Sequence, residues 1–155
     1  MEKIIVYVND AHHALEQIAP MQQQASGRLA GTQGTHWIVV ACAPRMSQHV
    51  SKWLTHSARD AWRARWSERL FDAVLPQVRG GSDTAQGVVA KLPLVQMTEL
   101  LLRQHGAARV LDARLALAGQ ALPPVTPNQP EIAQNPWTVP GALVGMGTMM
   151  ALAAD

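Results

Sequence analysis

The sequence predicts a three-layer α/β fold, in which helices cover both faces of a short parallel sheet. Short apolar runs, of which the first two carry no charge, alternate with helical patterns along the first 118 residues. Such an alternation is typical of parallel strands joined by right-handed crossover helices. The chain of 155 residues is long enough to bury a core, and its composition of 48 % apolar and 15 % charged residues excludes a disordered or coiled-coil protein.

Four strands and three helices make up the predicted domain of residues 1–118. Apolar runs predict strands that are buried on both faces, and we expect them at residues 4–8 and 37–42, which carry no charge, and more weakly at residues 87–91 and 109–112. Capping residues, prolines and glycines delimit the helices, which we expect at residues 11–20, 47–75 and 93–106. The predicted strand order is 3-2-1-4.

Residues 119–155 differ from the rest of the chain, because they contain no Lys or Arg. Pro, Gln and Asn dominate residues 119–138, which indicates an extended strap, whereas residues 139–154 are almost wholly apolar and predict a helix that begins near Pro140. Such a helix is about 24 Å long, short of the ~30 Å hydrocarbon core of a membrane. We therefore expect this helix to cover its own domain or a second subunit, with membrane attachment as the alternative.

The predicted long helix has two faces. One side collects the residues that a continuous helix would turn towards the sheet, namely Val50, Trp53, Leu54, Ser57, Ala61, Ala64, Phe71 and Leu75. Glu68 falls in the middle of this side, so its carboxylate has to reach past the edge, find a partner or take up a proton.

The opposite side of the same helix is predicted to be an interface. It carries the apolar residues Trp62, Trp66 and Leu70, which Arg59, Arg63 and Arg69 flank. Tryptophan beside arginine is a combination enriched at interaction hot spots. Three kinds of cover remain open for this face: the chain's own apolar tail, a second subunit in a homodimer, or a nucleic acid or other anionic ligand.

The charge of the chain is compatible with an anionic partner. The net charge is +2, from 13 basic and 11 acidic residues, and residues 45–79 alone carry +4. A small anionic ligand is therefore an option. Nucleic acid is disfavoured, because Trp53 lies on the other side of the predicted helix from Trp62 and Trp66, so that the three do not form one stacking platform.

A small-ligand site is expected beyond the carboxyl ends of the parallel strands, where the strand order reverses. The polar or reactive residues at those ends are Asn9, Asp10, Cys42, Arg45, Asp112 and Arg114. Three of them also have a structural interpretation: Asp10 as a helix N-cap, Asp112 as a turn residue and Cys42 as a small core residue.

The usual signatures of catalysis and of metal binding are missing from the sequence. It has no Walker loop and no Gly-x-Ser-x-Gly or Gly-x-Gly-x-x-Gly motif, and its six histidines show no ligand spacing. Its single cysteine excludes a disulfide framework and a zinc site built on paired cysteines. We therefore predict no cofactor and favour a binding module over an enzyme. The cytoplasm is the expected location, because no signal peptide is visible.

Part of the chain resembles the universal stress proteins. The strand–helix–strand layout of residues 87–112, with a His-Gly-Ala-Ala turn after the helix, is similar to the second half of that family. The Asn9-Asp10 pair resembles the end of the family's first strand, where an aspartate contacts adenine nucleotide. The loop after Asp112, residues 113–119, lacks the family's glycine pattern. The resemblance therefore implies the fold and argues against ordinary ATP binding.

Three hypotheses for the function remain open at this point. The first is a non-enzymatic, self-associating regulatory or binding module of the universal-stress-protein type. The second is a small-ligand or nucleotide site at the strand ends, with weak hydrolysis as an option. The third is attachment to a membrane surface through residues 139–154.

Overall fold

The computed structural model describes residues 1–26, 34–45, 48–116, 122–127, 129 and 150–152. The elements of this part of the chain are, in order, β1 (Glu2–Val8), α1 (Ala11–Ser26), β2 (Thr35–Ala41), α2 (Gln48–Ser51), α3 (His56–Val78), β3 (Thr84–Val89), α4 (Leu94–His105), β4 (Ala108–Asp112) and β5 (Met150–Leu152). The described strands lie side by side in the order β3-β2-β1-β4-β5.

The four predicted strands form an all-parallel sheet in the predicted order 3-2-1-4, which confirms the α/β class. Strand β1 lies between β2 and β4, and β3 pairs with the outer edge of β2. The register places Ile5 of β1 beside Ile38 of β2 and Val110 of β4. Strands in such a sheet are covered on both faces, which explains why the central residues of β1 and β2 are apolar and carry no charge.

Helices pack on both faces of this sheet and complete the three layers. Helices α1 and α3 cover one face, where Ile18 and Val74 join Trp37 of β2 in one core cluster. Helix α4 covers the other face, where Leu101 joins Tyr7 of β1 in a second cluster. Successive residues of a strand point to opposite faces, so each strand contributes to both clusters.

The predicted continuous helix over residues 47–75 is wrong, because the chain leaves the helical conformation after Ser51. Helix α2 ends at that residue, and α3 begins behind a new N-cap, Thr55, whose hydroxyl accepts a hydrogen bond of 3.1 Å from the amide of Ala58. Trp53 lies in the intervening turn and is 82 % exposed, although the prediction placed it against the sheet. The interruption shifts the helical phase, so the residues of α2 and α3 do not form the single face that a continuous helix would have.

The face of α3 that packs on the sheet therefore differs from the predicted face. Its buried residues are Ser67, Leu70, Val74 and Val78. Trp66 is half-buried against the same core, whereas Ala61 and Ala64 are exposed. Leu70 and Trp66 thus lie on the core side of α3 and not on the predicted outward face. Glu68 is exposed, so its carboxylate is in contact with water and needs neither a partner nor a proton.

Proline has less effect on the helix ends than predicted, whereas the predicted end at glycine is confirmed. Helix α1 continues past Pro20, and α3 continues past Pro76 to Val78. The side chain of Val78 is completely buried, and this burial is favourable where the proline costs α3 a backbone hydrogen bond. Helix α4 begins after Pro93 and ends at Gly106, which has a φ of 81°. Such a positive φ is accessible to glycine at no steric cost.

The predicted C-terminal helix over residues 139–154 is contradicted in the part that the structure describes. Residues 150–152 form β5, which pairs antiparallel with β4 and places Met150 opposite Val110; the remainder of the prediction lies outside the described residues. An apolar run does not by itself distinguish a strand from a helix. The outer edge of β4 offers backbone groups that a strand can pair with. Within the described ranges, no helix is long and apolar enough to span a membrane.

Candidate functional site

Asn9 and Asp10, which follow β1, are both engaged by the chain itself. The side-chain amide of Asn9 donates to the carbonyl of Leu115 at 3.0 Å, and its oxygen accepts from the amide of Leu115 at 2.6 Å. Asp10 Oδ1 accepts a hydrogen bond of 2.9 Å from the amide of His13 in the first turn of α1. Asp10 thus has the geometry of an N-cap, and a ligand role for either residue stays a prediction.

Asp112 and Arg114 form a buried bidentate ion pair at the end of β4. Arg114 Nε and Nη2 donate to the two carboxylate oxygens of Asp112, each at 2.8 Å. Gln129 Nε2 donates to Asp112 Oδ2 at 2.6 Å, and Arg114 Nη2 also donates to the carbonyl of Pro123 at 2.6 Å. The structure thus brings two predicted site residues together and satisfies both of them within the chain.

Residues 122–127 and Gln129, called the covering segment below, lie against the end of β4 and against α4. Val125 is buried in the cluster that contains Tyr7, and its carbonyl accepts a hydrogen bond of 2.6 Å from Thr98 Oγ1. Its amide donates to Gln129 Oε1 at 2.7 Å. Open parallel sheets usually bind ligands where the strand order reverses. In this protein the covering segment packs at that place.

Cys42 follows β2 and is half-buried beside the same core cluster. Burial raises the pKa of the Cys42 thiol to about 12, while the charges of Arg114 and Asp112 act in opposite directions. The thiol is therefore protonated at neutral pH and is a poor nucleophile. Burial also raises the pKa of Tyr7, again to about 12.

A cavity of about 330 Å³ opens beside the end of β2, and we call it the arginine cavity. Its lining residues are Ala43, Pro44, Arg45, Ser51, Arg59, Trp62 and Arg63. The loop after β2 supplies one wall, α2 supplies Ser51, and the start of α3 supplies the opposite wall. Arg59, Trp62 and Arg63 share one face of α3 at the spacing i, i+3, i+4, as the sequence predicts.

The arginine cavity has more positive than negative charge. Arg63 Nη1 lies 3.6 Å from Asp60 Oδ1, in a pair that is open to solvent. Among the described residues, neither Arg45 nor Arg59 forms an ion pair. Arg59 Nε is buried and has no hydrogen-bond acceptor in the described part of the chain. A buried donor without an acceptor is energetically costly, and because this atom has almost no accessible surface it is not itself a contact point for a ligand.

The arginine cavity combines residues that the sequence assigned to two separate sites. Arg45 belongs to the predicted small-ligand set, whereas Arg59, Trp62 and Arg63 belong to the predicted interface. The helix break before Thr55 brings these sets to one cavity, and the sequence prediction drew an uninterrupted helix there. The sequence signal for the break is Thr55 itself, a residue type that commonly caps the N-terminus of a helix.

The described residues therefore define a Rossmann-like α/β fold with an arginine-lined cavity at the end of β2. No group of three His, Cys, Asp or Glu within the described ranges is placed to hold a metal ion. No family model matches the chain, and searches of curated proteins and of solved structures found no significant match. The relationship to the universal stress proteins and self-association through α3 stay predictions.

Proposed function

We propose that this protein is a small-anion-binding module and that the arginine cavity is its binding site. The observation that carries this proposal is that Arg45, Arg59 and Arg63 line one cavity, while the described residues offer an ion-pair partner to Arg63 alone. The guanidinium N–H groups at the cavity would donate hydrogen bonds to the oxygens of a bound anion.

The arrangement of the arginines supports an anion as the ligand. Guanidinium groups bind phosphate and carboxylate oxygens through two N–H groups at once. Arg45 comes from the loop after β2, while Arg59 and Arg63 come from α3, so positive charge faces the cavity from two elements. Surface arginines that served solubility alone would have no reason to converge on a cavity.

The residues at the other strand ends support binding over catalysis. The thiol of Cys42 is held protonated by its raised pKa, and the carboxylate of Asp112 is saturated by Arg114 and Gln129. Neither group is presented as a free nucleophile or base. A free, half-buried thiol is also in keeping with a reducing compartment such as the cytoplasm.

Calorimetric titration at low ionic strength with inorganic phosphate, sulfate and acetate tests the proposal. We expect saturable binding of at least one anion by the wild-type chain. Arg59→Gln should weaken this binding about tenfold or more, because a charge-assisted hydrogen bond is lost. Arg69→Gln is the matched control, since Arg69 is exposed on α3 outside the cavity lining and its replacement changes the net charge equally.

The proposal is contradicted if none of the three anions binds to the wild-type chain. It is also contradicted if Arg59→Gln and Arg69→Gln weaken binding equally, because that result would reflect the general charge of the protein. Thermal melts of both variants show that the comparison is made between folded proteins.

A further inference from the structure

We infer that the ligand of the arginine cavity is a phosphate monoester that carries a planar organic group. This inference rests on the proposed function and adds the chemical class of the anion. Three features of the cavity bear on the class: its net charge, its size and the tryptophan in its lining.

The charge around the cavity matches a dianion better than a monoanion. The three lining arginines carry three positive charges, and Asp60 beside Arg63 compensates for one of them. A phosphate monoester carries a charge of about −1.5 to −2 at pH 7. A sulfate ester of the same shape carries a single negative charge, as does a carboxylate, and would leave positive charge in the cavity uncompensated.

The size of the cavity leaves room for more than a phosphate group. Its volume of about 330 Å³ reaches the lower end of the range of ~300–1,000 Å³ for small-molecule sites. Inorganic phosphate would fill a small part of this space and leave the rest to water. An organic substituent on the phosphate would fill the remainder.

Trp62 indicates the nature of that substituent. Its half-buried side chain lines the cavity between Arg59 and Arg63 on the same face of α3. A phosphate held by these two arginines therefore lies beside the indole. Flat rings stack favourably on tryptophan, and this contact adds affinity beyond the burial of apolar area. The expected ligand thus has its phosphate on the arginines and its planar group on Trp62.

Three probes separate these contributions on the unaltered protein. Phenyl phosphate has both the dianion and the ring, phenyl sulfate has the ring and a single charge, and methyl phosphate has the dianion without a ring. Calorimetry at about pH 7.5 should give a dissociation constant for phenyl phosphate about tenfold lower than for either of the others. Trp62→Leu keeps an apolar side chain and should abolish the advantage of phenyl over methyl phosphate, whereas Trp53→Leu, on the exposed turn, should retain it.

The outcomes distinguish this inference from the proposed function. Equal affinity for phenyl sulfate and phenyl phosphate would overturn the assignment to a phosphate monoester and leave anion binding in place. Equal affinity for methyl and phenyl phosphate would overturn the planar group. Failure of all three probes, together with failure of inorganic phosphate, sulfate and acetate, would overturn the anion site itself.

Discussion

Arg114 and Asp112 are joined by two parallel hydrogen bonds of 2.8 Å at a place where their side chains are 2 % and 0 % exposed. Gln129 and the carbonyl of Pro123 complete the coordination of the pair. The ion pair therefore provides two of the polar contacts of the covering segment, and the segment in turn satisfies hydrogen-bonding groups of the buried pair. We therefore expect the ion pair and the covering segment to stabilise each other at the end of β4.

Replacement of one member of this pair should destabilise the fold strongly. Asp112→Asn leaves the Arg114 guanidinium buried without a countercharge, and we expect a loss of about 3–5 kcal/mol in the free energy of unfolding. Urea denaturation measures the change. Asp72→Asn, on the exposed side of α3, is the control and should change the stability by less than about 0.5 kcal/mol. Equal effects of the two substitutions would show that the pair is not buried as described.

Loss of the Gln129 side chain should loosen the covering segment. Gln129 bonds both to Asp112 and to the amide of Val125, so Gln129→Ala should cost about 1–3 kcal/mol. Cys42 packs in the same core cluster as Val125, and its reaction with a disulfide reagent should become faster in the variant. Gln104→Ala, at an exposed position of α4, should leave the rate unchanged. If Cys42 reacts with the reagent at the same rate in Gln129→Ala as in the wild-type chain, the covering segment does not limit access to Cys42.

The stability should fall at alkaline pH. Burial raises the pKa of Cys42 from its ordinary value of 9.0 to about 12, and that of Tyr7 from 10.0 to about 12. The folded chain therefore holds two protons that the unfolded chain releases as the pH rises above about 9, so this contribution to stability is complete below that pH and is lost towards pH 12. Urea denaturation between about pH 8 and pH 10.5 should show the decline, and Cys42→Ala should make it shallower. A stability independent of pH over this range would contradict the burial of both groups.

The orientation of α3 is open to a direct mutational test. Leu70 is buried in the core and Trp53 is exposed on the turn before the helix. Leu70→Ala should therefore cost about 2–5 kcal/mol, whereas Trp53→Ala should change the stability by less than about 0.5 kcal/mol. Thermal and urea denaturation of both variants give the comparison. A larger loss of stability for Trp53→Ala than for Leu70→Ala would contradict this orientation and favour the continuous helix that the sequence pattern predicts.

The strands of this fold were predictable because their sequences obey one strong rule. The central residues of β1 and β2 are buried on both faces and are apolar at successive positions, which makes these strands visible as uncharged runs. The alternation with helices then implies the parallel order that the structure shows. The short strand β5 was not predictable, since its residues lie within a longer apolar run that fits a helix equally well.

The arginine cavity was not predictable, because it depends on where one helix ends and the next begins. The apolar pattern across Trp53 and Leu54 continues smoothly from α2 towards α3, and the cap at Thr55 competes with it locally. In the structure, which has the break, Arg45 and Arg59 line one cavity. The sequence prediction, which assumed a continuous helix, assigned these two residues to different sites. The role of Gln129 was hidden for a similar reason, since a tertiary contact over 17 residues with Asp112 leaves no local pattern.

The most direct test of the anion site follows the Nε–H resonance of Arg59 by NMR while inorganic phosphate is added to isotope-labelled protein. The account predicts a progressive and saturable shift of the Arg59 signal, while the signal of the exposed Arg69 stays in place. An Arg59 signal that does not move, or that moves in parallel with Arg69, would contradict the assignment of this cavity as an anion-binding site.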